Sequence, residues 1–198
     1  GVWGSGQKEY AAMKLTLMLM GGSAFLLIGI LGIFYGAGGD TMNILEIAQR
    51  HIPSEMQRLF FPLIFLGFGV LGALFPFHTW SPDGHASAPT AVSMLHAGVL
   101  MKLGGYGCFR VAMYLMPEGA EMWGDFFLVL TTISVVYGAF SAVVQTDLKY
   151  INAYSSVSHC GLVLFALLMM TRTSCTGALL QMLSHGLMTA LFFALIGM

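Results

Sequence analysis

Charged side chains are scarce in this 198-residue sequence. Asp, Glu, Lys and Arg make up 9% of the residues, whereas 57% are hydrophobic and the mean hydropathy is +0.81. A soluble domain carries roughly 25% charged residues. The shortage therefore excludes an ordinary soluble globular protein and an intrinsically disordered one.

Basic residues and cysteines are also few. Eight Lys and Arg stand against nine Asp and Glu, which gives a net charge of −1 and predicts no nucleic-acid partner. The three cysteines, Cys108, Cys160 and Cys175, lie in or beside apolar runs and have no CxxC or metal-ligand spacing. We therefore expect them to be packing residues rather than disulfides or metal ligands. No P-loop is present, and the sequence predicts no redox or hydrolytic site.

Long apolar runs are abundant. Six segments approach or exceed the length of a membrane span, at about residues 15–35, 59–77, 88–116, 126–144, 151–170 and 177–198. Continuous runs predict helices, whereas the strands of an outer-membrane barrel are short and alternating. The expected fold is an all-α, polytopic transmembrane helix bundle of about six spans, forming a single transmembrane region over 1–198. A polar loop over 36–58 is expected to contain a short surface helix at 43–50. Both ends of the sequence look cut, so we expect a portion of a longer membrane protein.

Helix-breaking residues interrupt the second apolar segment, at Pro62, Gly67, Gly69, Gly72 and Pro76. They are compatible with a kinked packing helix, because small residues are common where membrane helices touch. They are equally typical of a discontinuous helix beside an ion path. We expect one discontinuous span.

The Pro- and Gly-containing stretch that follows carries His78, Asp83 and His85 beside Trp80. These residue types could bind a metal. A turn in the aromatic belt at the membrane edge is the preferred interpretation, because tryptophan is enriched there.

Lys102 is the sharpest single signal, because it falls near the middle of the third apolar segment. A lysine at that depth costs about 2.5–3.5 kcal/mol on insertion scales. We expect its ammonium to face the protein interior, near a carboxylate or water, where it can exchange a proton. The alternative is a snorkelling or structurally paired lysine.

Polar residues recur at steps of three or four in the last three segments. The sets are Ser134, Tyr137, Ser141 and Gln145, then Asn152, Ser155 and His159, then Gln181, His185 and Thr189. Residues at such steps share one helix face. Interhelical hydrogen bonding explains the Ser, Thr and Gln positions. For His159 and His185, proton transfer and structural hydrogen bonding are both consistent with the sequence.

Several motifs together resemble a known family. They are Phe75-Pro76-Phe77-His78-Thr79-Trp80-Ser81-Pro82-Asp83-Gly84-His85, Ala88-Pro89-Thr90-Ala91-Val92-Ser93, Gly98-Val99-Leu100-Met101-Lys102-Leu103-Gly104-Gly105-Tyr106, Gln145-Thr146-Asp147-Leu148-Lys149, and Ala153-Tyr154-Ser155-Ser156-Val157-Ser158-His159. Their pattern is similar to that of the antiporter-like membrane subunits of respiratory complex I, and within them to subunit M, called chain 4 in mitochondria.

The resemblance implies a fragment of a longer inverted-repeat fold that couples quinone reduction by NADH to proton pumping. It implies no redox centre in this chain, with FMN, iron–sulfur clusters and quinone in partner subunits. The other membrane subunits of complex I and the lipid bilayer are the expected partners. The expected location is a bacterial inner membrane, with an organellar inner membrane as the alternative.

The same resemblance implies proton-translocating roles for Lys102, His159, His185 and Lys149. One departure stands out: Leu71 occupies a position where the family usually has a lysine. A multisubunit sodium/proton antiporter, a membrane-bound hydrogenase and a structural spacer subunit with reduced pumping remain alternatives.

Overall fold

The computed structural model describes residues 2–198, and within that range the chain is helical and contains no strand. Nine α-helices and two π-helical segments follow one another. In chain order they are α1 (Lys8–Gly36), α2 (Ile44–Ala48), α3 (Ser54–Leu71), α4 (Trp80–Ser87), α5 (Thr90–Leu95), the first π segment (His96–Leu100), α6 (Met101–Gly107), the second π segment (Cys108–Met113), α7 (Pro117–Val143), α8 (Leu148–Leu168) and α9 (Arg172–Ile196).

Five of the helices in residues 2–198 are long and apolar enough to cross a membrane: α1, α3, α7, α8 and α9. They correspond to five of the six predicted apolar segments. The all-α transmembrane prediction is therefore confirmed, and the chain is a multi-pass membrane protein.

The third predicted segment is helical but is not one regular α-helix. Between Thr90 and Met113 the chain passes from α5 through the first π segment into α6 and then into the second π segment. A π segment contains a wider turn with i→i+5 hydrogen bonds, and such turns are frequent at functional sites. Apolar periodicity does not reveal them, because it reports burial rather than hydrogen-bond spacing.

The polar loop after α1 is shorter than predicted, since α3 already begins at Ser54. The expected short helix is present as α2, where the Asn43 side chain accepts a hydrogen bond from the Leu45 N–H at 3.1 Å. Arg50 forms an ion pair with Asp40, which closes the loop. Hydrogen bonding to the Arg50 guanidinium holds the pKa of the Asp40 carboxyl below its ordinary value.

The second span is discontinuous, as predicted. Helix α3 ends at Leu71, and helical structure resumes only at Trp80. The end is a Schellman-type turn: Ala73 has a φ of 56°, in the left-handed region, and the Leu74 N–H donates to the Gly69 carbonyl at 2.8 Å. The non-helical residues 72–79 form the segment that we call the α3–α4 break.

The interpretation of the Trp80 region as an aromatic-belt turn is wrong. Residues 80–87 form α4, and Trp80 is fully buried, with its indole N–H donating to the Val70 carbonyl at 2.9 Å. Pro82 does not prevent this helix, because the first-turn N–H groups have no intrahelical partners. Trp80 therefore closes the α3–α4 break from the inside, and His78 and His85 are buried as well.

Replacing Trp80 by phenylalanine is expected to destabilise the break. The change removes a buried hydrogen bond worth about 1 kcal/mol and leaves a small cavity, for a total of about 2 kcal/mol. The measurement is the thermal unfolding midpoint of the purified full-length protein in detergent. Trp3→Phe is the matched control, because Trp3 is 87% exposed. Equal midpoints for the two variants would contradict the role assigned to Trp80.

Glycines set the closest helix contacts around the break. A Cβ atom added to Gly104 of α6 would lie 2.5 Å from the Gly72 nitrogen and 2.6 Å from the Phe68 carbonyl oxygen. Contacts this short allow only glycine, as is common between membrane helices. The close approach brings α6, and Lys102 near its start, directly against the break.

Candidate proton-translocation site

Lys102 lies in the first turn of α6, immediately after the first π segment. Its side chain is half-buried, and the ammonium donates to the Ala97 carbonyl at 2.5 Å. The expected carboxylate partner is not found: the only Lys or Arg ion pairs within residues 2–198 are Lys14–Asp83 and Arg50–Asp40. A backbone carbonyl of the π segment, not an acidic side chain, holds the ammonium in this part of the chain.

The first π segment and α9 cross closely at Gly98 and Gly186, next to the aliphatic part of the Lys102 side chain. A Cβ atom on Gly186 of α9 would lie 2.7 Å from the Gly98 carbonyl oxygen and 3.8 Å from Lys102 Cε. The first π segment and α9 therefore touch through their backbones at this point. The crossing places Lys102 beside the helix that carries His185.

His159 and His185 form a pair across α8 and α9. Their ring centroids are 4.5 Å apart. The Gln181 side-chain amide nitrogen lies 3.0 Å from His159 Nδ1, and Thr189 Oγ1 lies 3.1 Å from His185 Nδ1. The polar faces of the fifth and sixth predicted spans thus meet each other, and each imidazole has a hydrogen-bonding neighbour.

Lys102 and His185 share a small cavity. Lys102, Cys160, Met182 and His185 line it, and Gly72 of the α3–α4 break forms part of its wall. Three of the four residues predicted to move protons are therefore neighbours, because Lys102 shares the cavity with His185 and the His185 ring lies beside that of His159.

Lys149 is not part of this site. Its ammonium donates to the Ala88 carbonyl at 3.2 Å, at the C-terminal end of α4, and its backbone N–H donates to the Asp147 carboxylate at 2.7 Å. It precedes His159 by ten residues on α8, which corresponds to about 15 Å along the helix. A cation at a helix C-terminus stabilises the last carbonyls. Lys149 therefore lies at the start of α8 and caps the C-terminal end of α4.

Two of the remaining polar positions, Ser134 and Tyr137, contact the α3–α4 break. The Gln145 side chain instead donates to the Ser141 carbonyl one turn earlier at 3.2 Å, so the interhelical hydrogen bond expected there is not formed. Ser134 is buried and accepts a hydrogen bond from the Phe75 N–H at 3.4 Å, which ties α7 to the α3–α4 break. Tyr137 lies one turn further along α7, and its ring is 4.9 Å from that of His78. The polar face of α7 therefore covers the break.

The sequence analysis does not predict two buried histidines. It places His85 in a turn at the membrane edge, and it does not consider His96, which lies six residues before Lys102 in the same apolar segment. His85 is fully buried, and the centroids of the two rings are 6.0 Å apart. The sequence feature that could have identified His96 is its position in the same apolar segment as Lys102.

The glycines at the end of α3 and the three cysteines do not have the surroundings of known cofactor motifs in the described residues. Gly67, Gly69 and Gly72 have the G-x-G-x-x-G spacing of dinucleotide-binding loops, but they end a membrane helix instead of joining a strand to a helix. The cysteines are free thiols, and the structure of residues 2–198 shows no group of three or more His, Cys, Asp or Glu side chains that could hold a metal.

A multi-pass helical membrane protein with a discontinuous span and a half-buried lysine beside a histidine pair has the architecture of ion-translocating membrane proteins. Comparison with protein families makes the assignment specific. The chain belongs to the NADH:quinone oxidoreductase/Mrp antiporter transmembrane family, whose model matches residues 1–198.

Curated relatives agree with this family. The chain is 42% identical over 197 residues to the NAD(P)H-quinone oxidoreductase chain 4 3 of a Picosynechococcus strain, which covers 99% of this chain and 36% of the relative. It is 38% identical over 198 residues to the NADH-quinone oxidoreductase subunit M of Rickettsia prowazekii, which covers all of this chain and 40% of the relative. The chain thus spans well under half the length of these relatives.

Solved structures share the fold. A chain of respiratory complex I from Thermus thermophilus with bound NADH superposes with a TM-score of 0.92 at 28% identity, over 98% of this chain and 42% of that one. A chain of the Mrp complex from a Dietzia strain gives a TM-score of 0.84 at 21% identity, over 95% of this chain and 35% of that one. The second likeness shows the fold alone.

Proposed function

We propose that this chain is the central, proton-translocating portion of a subunit M (chain 4) protein of NADH:quinone oxidoreductase. The observation that carries the proposal is the placement of Lys102, within a membrane-crossing segment, beside the cavity shared with His185 and next to the His159–His185 pair. The relatives, which are chain 4 and subunit M proteins, support the choice of subunit.

The proposed mechanism uses this chain's own side chains to hold and move protons. A conformational or charge change, originating at the quinone site in another subunit, changes the protonation of Lys102. The Ala97 carbonyl accepts a charge-assisted hydrogen bond from the ammonium, and release of the proton weakens that bond. The proton then passes through water in the cavity to His185 and His159, whose rings are close enough to exchange it in turn.

Redox chemistry is proposed to lie outside this chain. An iron–sulfur cluster takes four thiolates, whereas the sequence has three cysteines, and two of them, Cys108 and Cys160, are buried in different helical segments. We therefore place FMN, the iron–sulfur clusters and the quinone in partner subunits. Other membrane subunits of the complex and the bilayer are the proposed partners, and a bacterial inner membrane is the proposed location.

Leu71 makes one part of the passage distinctive. It is the last residue of α3, directly before the α3–α4 break, and its side chain cannot exchange a proton. Leu71 occupies the position where the family usually has a lysine, so we propose that proton passage at the break depends on Lys102 and water. The proposed mechanism therefore depends on the protonation of Lys102.

The test is purification of the full-length version of this chain through a tag, from membranes dissolved in a mild detergent. The expected result is co-purification of flavin and iron–sulfur subunits, with NADH:quinone activity that rotenone- or piericidin-type inhibitors block. Co-purification of only small membrane proteins, without NADH oxidation, would contradict the proposal and favour a sodium/proton antiporter. Growth of a deletion strain under sodium stress then tests that alternative.

A further inference from the structure

The first turns of α3 and the beginning of α7 enclose an open groove that the proposed function does not use. Its lining residues are Glu55, Met56, Arg58, Leu59, Phe60 and Trp123. The groove therefore combines two opposite charges with apolar and aromatic walls. None of these residues belongs to the lysine–histidine site.

Contacts with neighbouring helices hold the walls of the groove in place. The Trp123 indole N–H donates to the Arg58 carbonyl at 2.9 Å, which fixes the indole of α7 against α3. The Phe60 ring packs against α1, where a Cβ atom added to Gly32 would lie 2.4 Å from it. The groove is thus formed before any ligand enters it, and its aromatic walls need no rearrangement.

The groove lies at the depth of lipid headgroups. Helix α3 begins at Ser54 and α7 at Pro117, so Arg58 and Trp123 lie about 6 Å and 9 Å along their helices. Each interfacial layer of a bilayer is about 5–8 Å thick, and tryptophan is enriched there. Residues 61–71 of α3 include no exposed side chain, so the exposed part of this helix is confined to the same layer.

The Arg58 guanidinium is exposed and has no carboxylate partner in the described chain. The only Lys or Arg ion pairs within residues 2–198 are Lys14–Asp83 and Arg50–Asp40. A guanidinium can bind a phosphate through two parallel hydrogen bonds. Leu59, the next residue, is 61% exposed and presents apolar surface beside it. A phosphate attached to an acyl chain satisfies both neighbours.

Acidic side chains around Arg58 determine which headgroup fits. Glu55 lines the same groove and shares one face of α3 with Arg58, because the two are three residues apart. Helix α7 adds Glu118, Glu121 and Asp125 on either side of Trp123 in the sequence. A headgroup with net negative charge would be repelled by these carboxylates, whereas an ammonium close to the phosphate would be attracted.

We propose that this groove binds a zwitterionic phospholipid with an ethanolamine headgroup. The phosphate lies at the Arg58 guanidinium, the ammonium lies at the Glu55 carboxylate, and an acyl chain follows Leu59 and the Trp123 ring. The site is independent of the proposed function, because lipid binding requires no proton movement.

The experiment is native mass spectrometry of the purified full-length protein in detergent, with equal amounts of phosphatidylethanolamine and phosphatidylglycerol added. The wild type is expected to retain phosphatidylethanolamine in preference. Arg58→Gln is expected to lower that binding about tenfold, the effect of losing one charge-assisted hydrogen bond. Glu55→Gln keeps the phosphate contact and is expected to lose the preference for phosphatidylethanolamine over phosphatidylglycerol.

Arg172→Gln is the matched control, because Arg172 is also an exposed arginine in the first turn of a membrane-crossing helix and does not line the groove. It is expected to bind lipid like the wild type. Equal losses for the Arg58 and Arg172 variants would overturn the site, as would a wild type that retains no lipid or does not distinguish the two lipids. If Arg58→Gln does not fold, the unchanged preference of Glu55→Gln would overturn it equally.

The outcome is separable from that of the proposed function. Lipid binding is measured without NADH or partner subunits, so loss of the site leaves the proton-translocation proposal unchanged. A protein that binds phosphatidylethanolamine but does not co-purify with flavin and iron–sulfur subunits would support the site and contradict the proposed function.

Discussion

Lys102→Ala is expected to abolish NADH-driven proton pumping while the complex still assembles. Assembly survives because the ammonium is held only by the Ala97 carbonyl in the described part of the chain, and removing an intramembrane charge relieves an insertion cost of about 2.5–3.5 kcal/mol. Pumping fails because the cavity beside His185 then contains no group that accepts a proton from one side and delivers it to the other. We expect the ratio of protons moved to NADH oxidised to fall about tenfold or more.

Lys102→Arg separates proton exchange from simple charge. Arginine keeps the positive charge but does not release a proton in proteins, so its pumping is expected to be as low as that of the alanine variant. Lys8→Arg and Lys8→Ala serve as controls, because the Lys8 ammonium has only an exposed contact with the Val2 carbonyl. A normal proton ratio in assembled Lys102→Ala or Lys102→Leu complex would remove the role given to this lysine and favour a spacer subunit.

Gly104→Ala is expected to be the most damaging single-methyl change in the chain. The added Cβ would meet the backbone of Gly72 and Phe68 at 2.5–2.6 Å, and backbone atoms cannot rotate away as a side chain can. Overpacking of this kind costs about 1–3 kcal/mol and displaces α6 from the α3–α4 break. We expect both a lower yield of assembled protein and a loss of pumping in the fraction that assembles, since Lys102 moves with α6.

Gly124→Ala provides the comparison. Gly124 is also a buried helical glycine, in α7, but an added Cβ there has no neighbouring atom within 4 Å. Alanine is favoured over glycine in a helix by up to about 1 kcal/mol, so this variant is expected to be as stable as the wild type or more stable. The measurement is yield and thermal stability of the full-length protein after detergent extraction. Similar losses of yield and thermal stability for both variants would contradict the claim that the contact between α6 and the α3–α4 break requires glycine at position 104.

Sequence patterns were sufficient for the features that depend on composition. Apolar length located every long helix, the polar loop predicted the short helix α2, and the proline and glycine residues around Gly72 and Pro76 predicted the break. Polarity alone singled out Lys102, His159 and His185 as candidates, because an ionisable residue in an apolar run has few explanations. The shared cavity that brings two of them together could not be read in the same way, since it depends on how α6, α8 and α9 cross.

The failures have physical causes. The stretch from Ser81 to Gly84 has the residues of a turn, yet tertiary packing of Trp80 and His85 makes it a helix. Lys149 shares a motif with site residues, yet its position in the first turn of α8 places it at a helix end. The expected neighbours of Lys102 were a carboxylate or water, and no carboxylate forms an ion pair with it within residues 2–198. The Ala97 carbonyl of the π segment accepts from its ammonium, and such a contact cannot be predicted from composition.

The first π segment also makes the site depend on a count of residues. A π turn is equivalent to an α-helix with one inserted residue, and each residue of an α-helix turns its side chain by about 100°. Deleting any one residue from 96–100 and restoring a regular helix would rotate Lys102 by that angle relative to α5, whatever residue was lost. The direction in which Lys102 points relative to α9 is thus set by the number of residues in this segment. A homologous chain with one residue fewer here would direct the equivalent lysine towards a different neighbour.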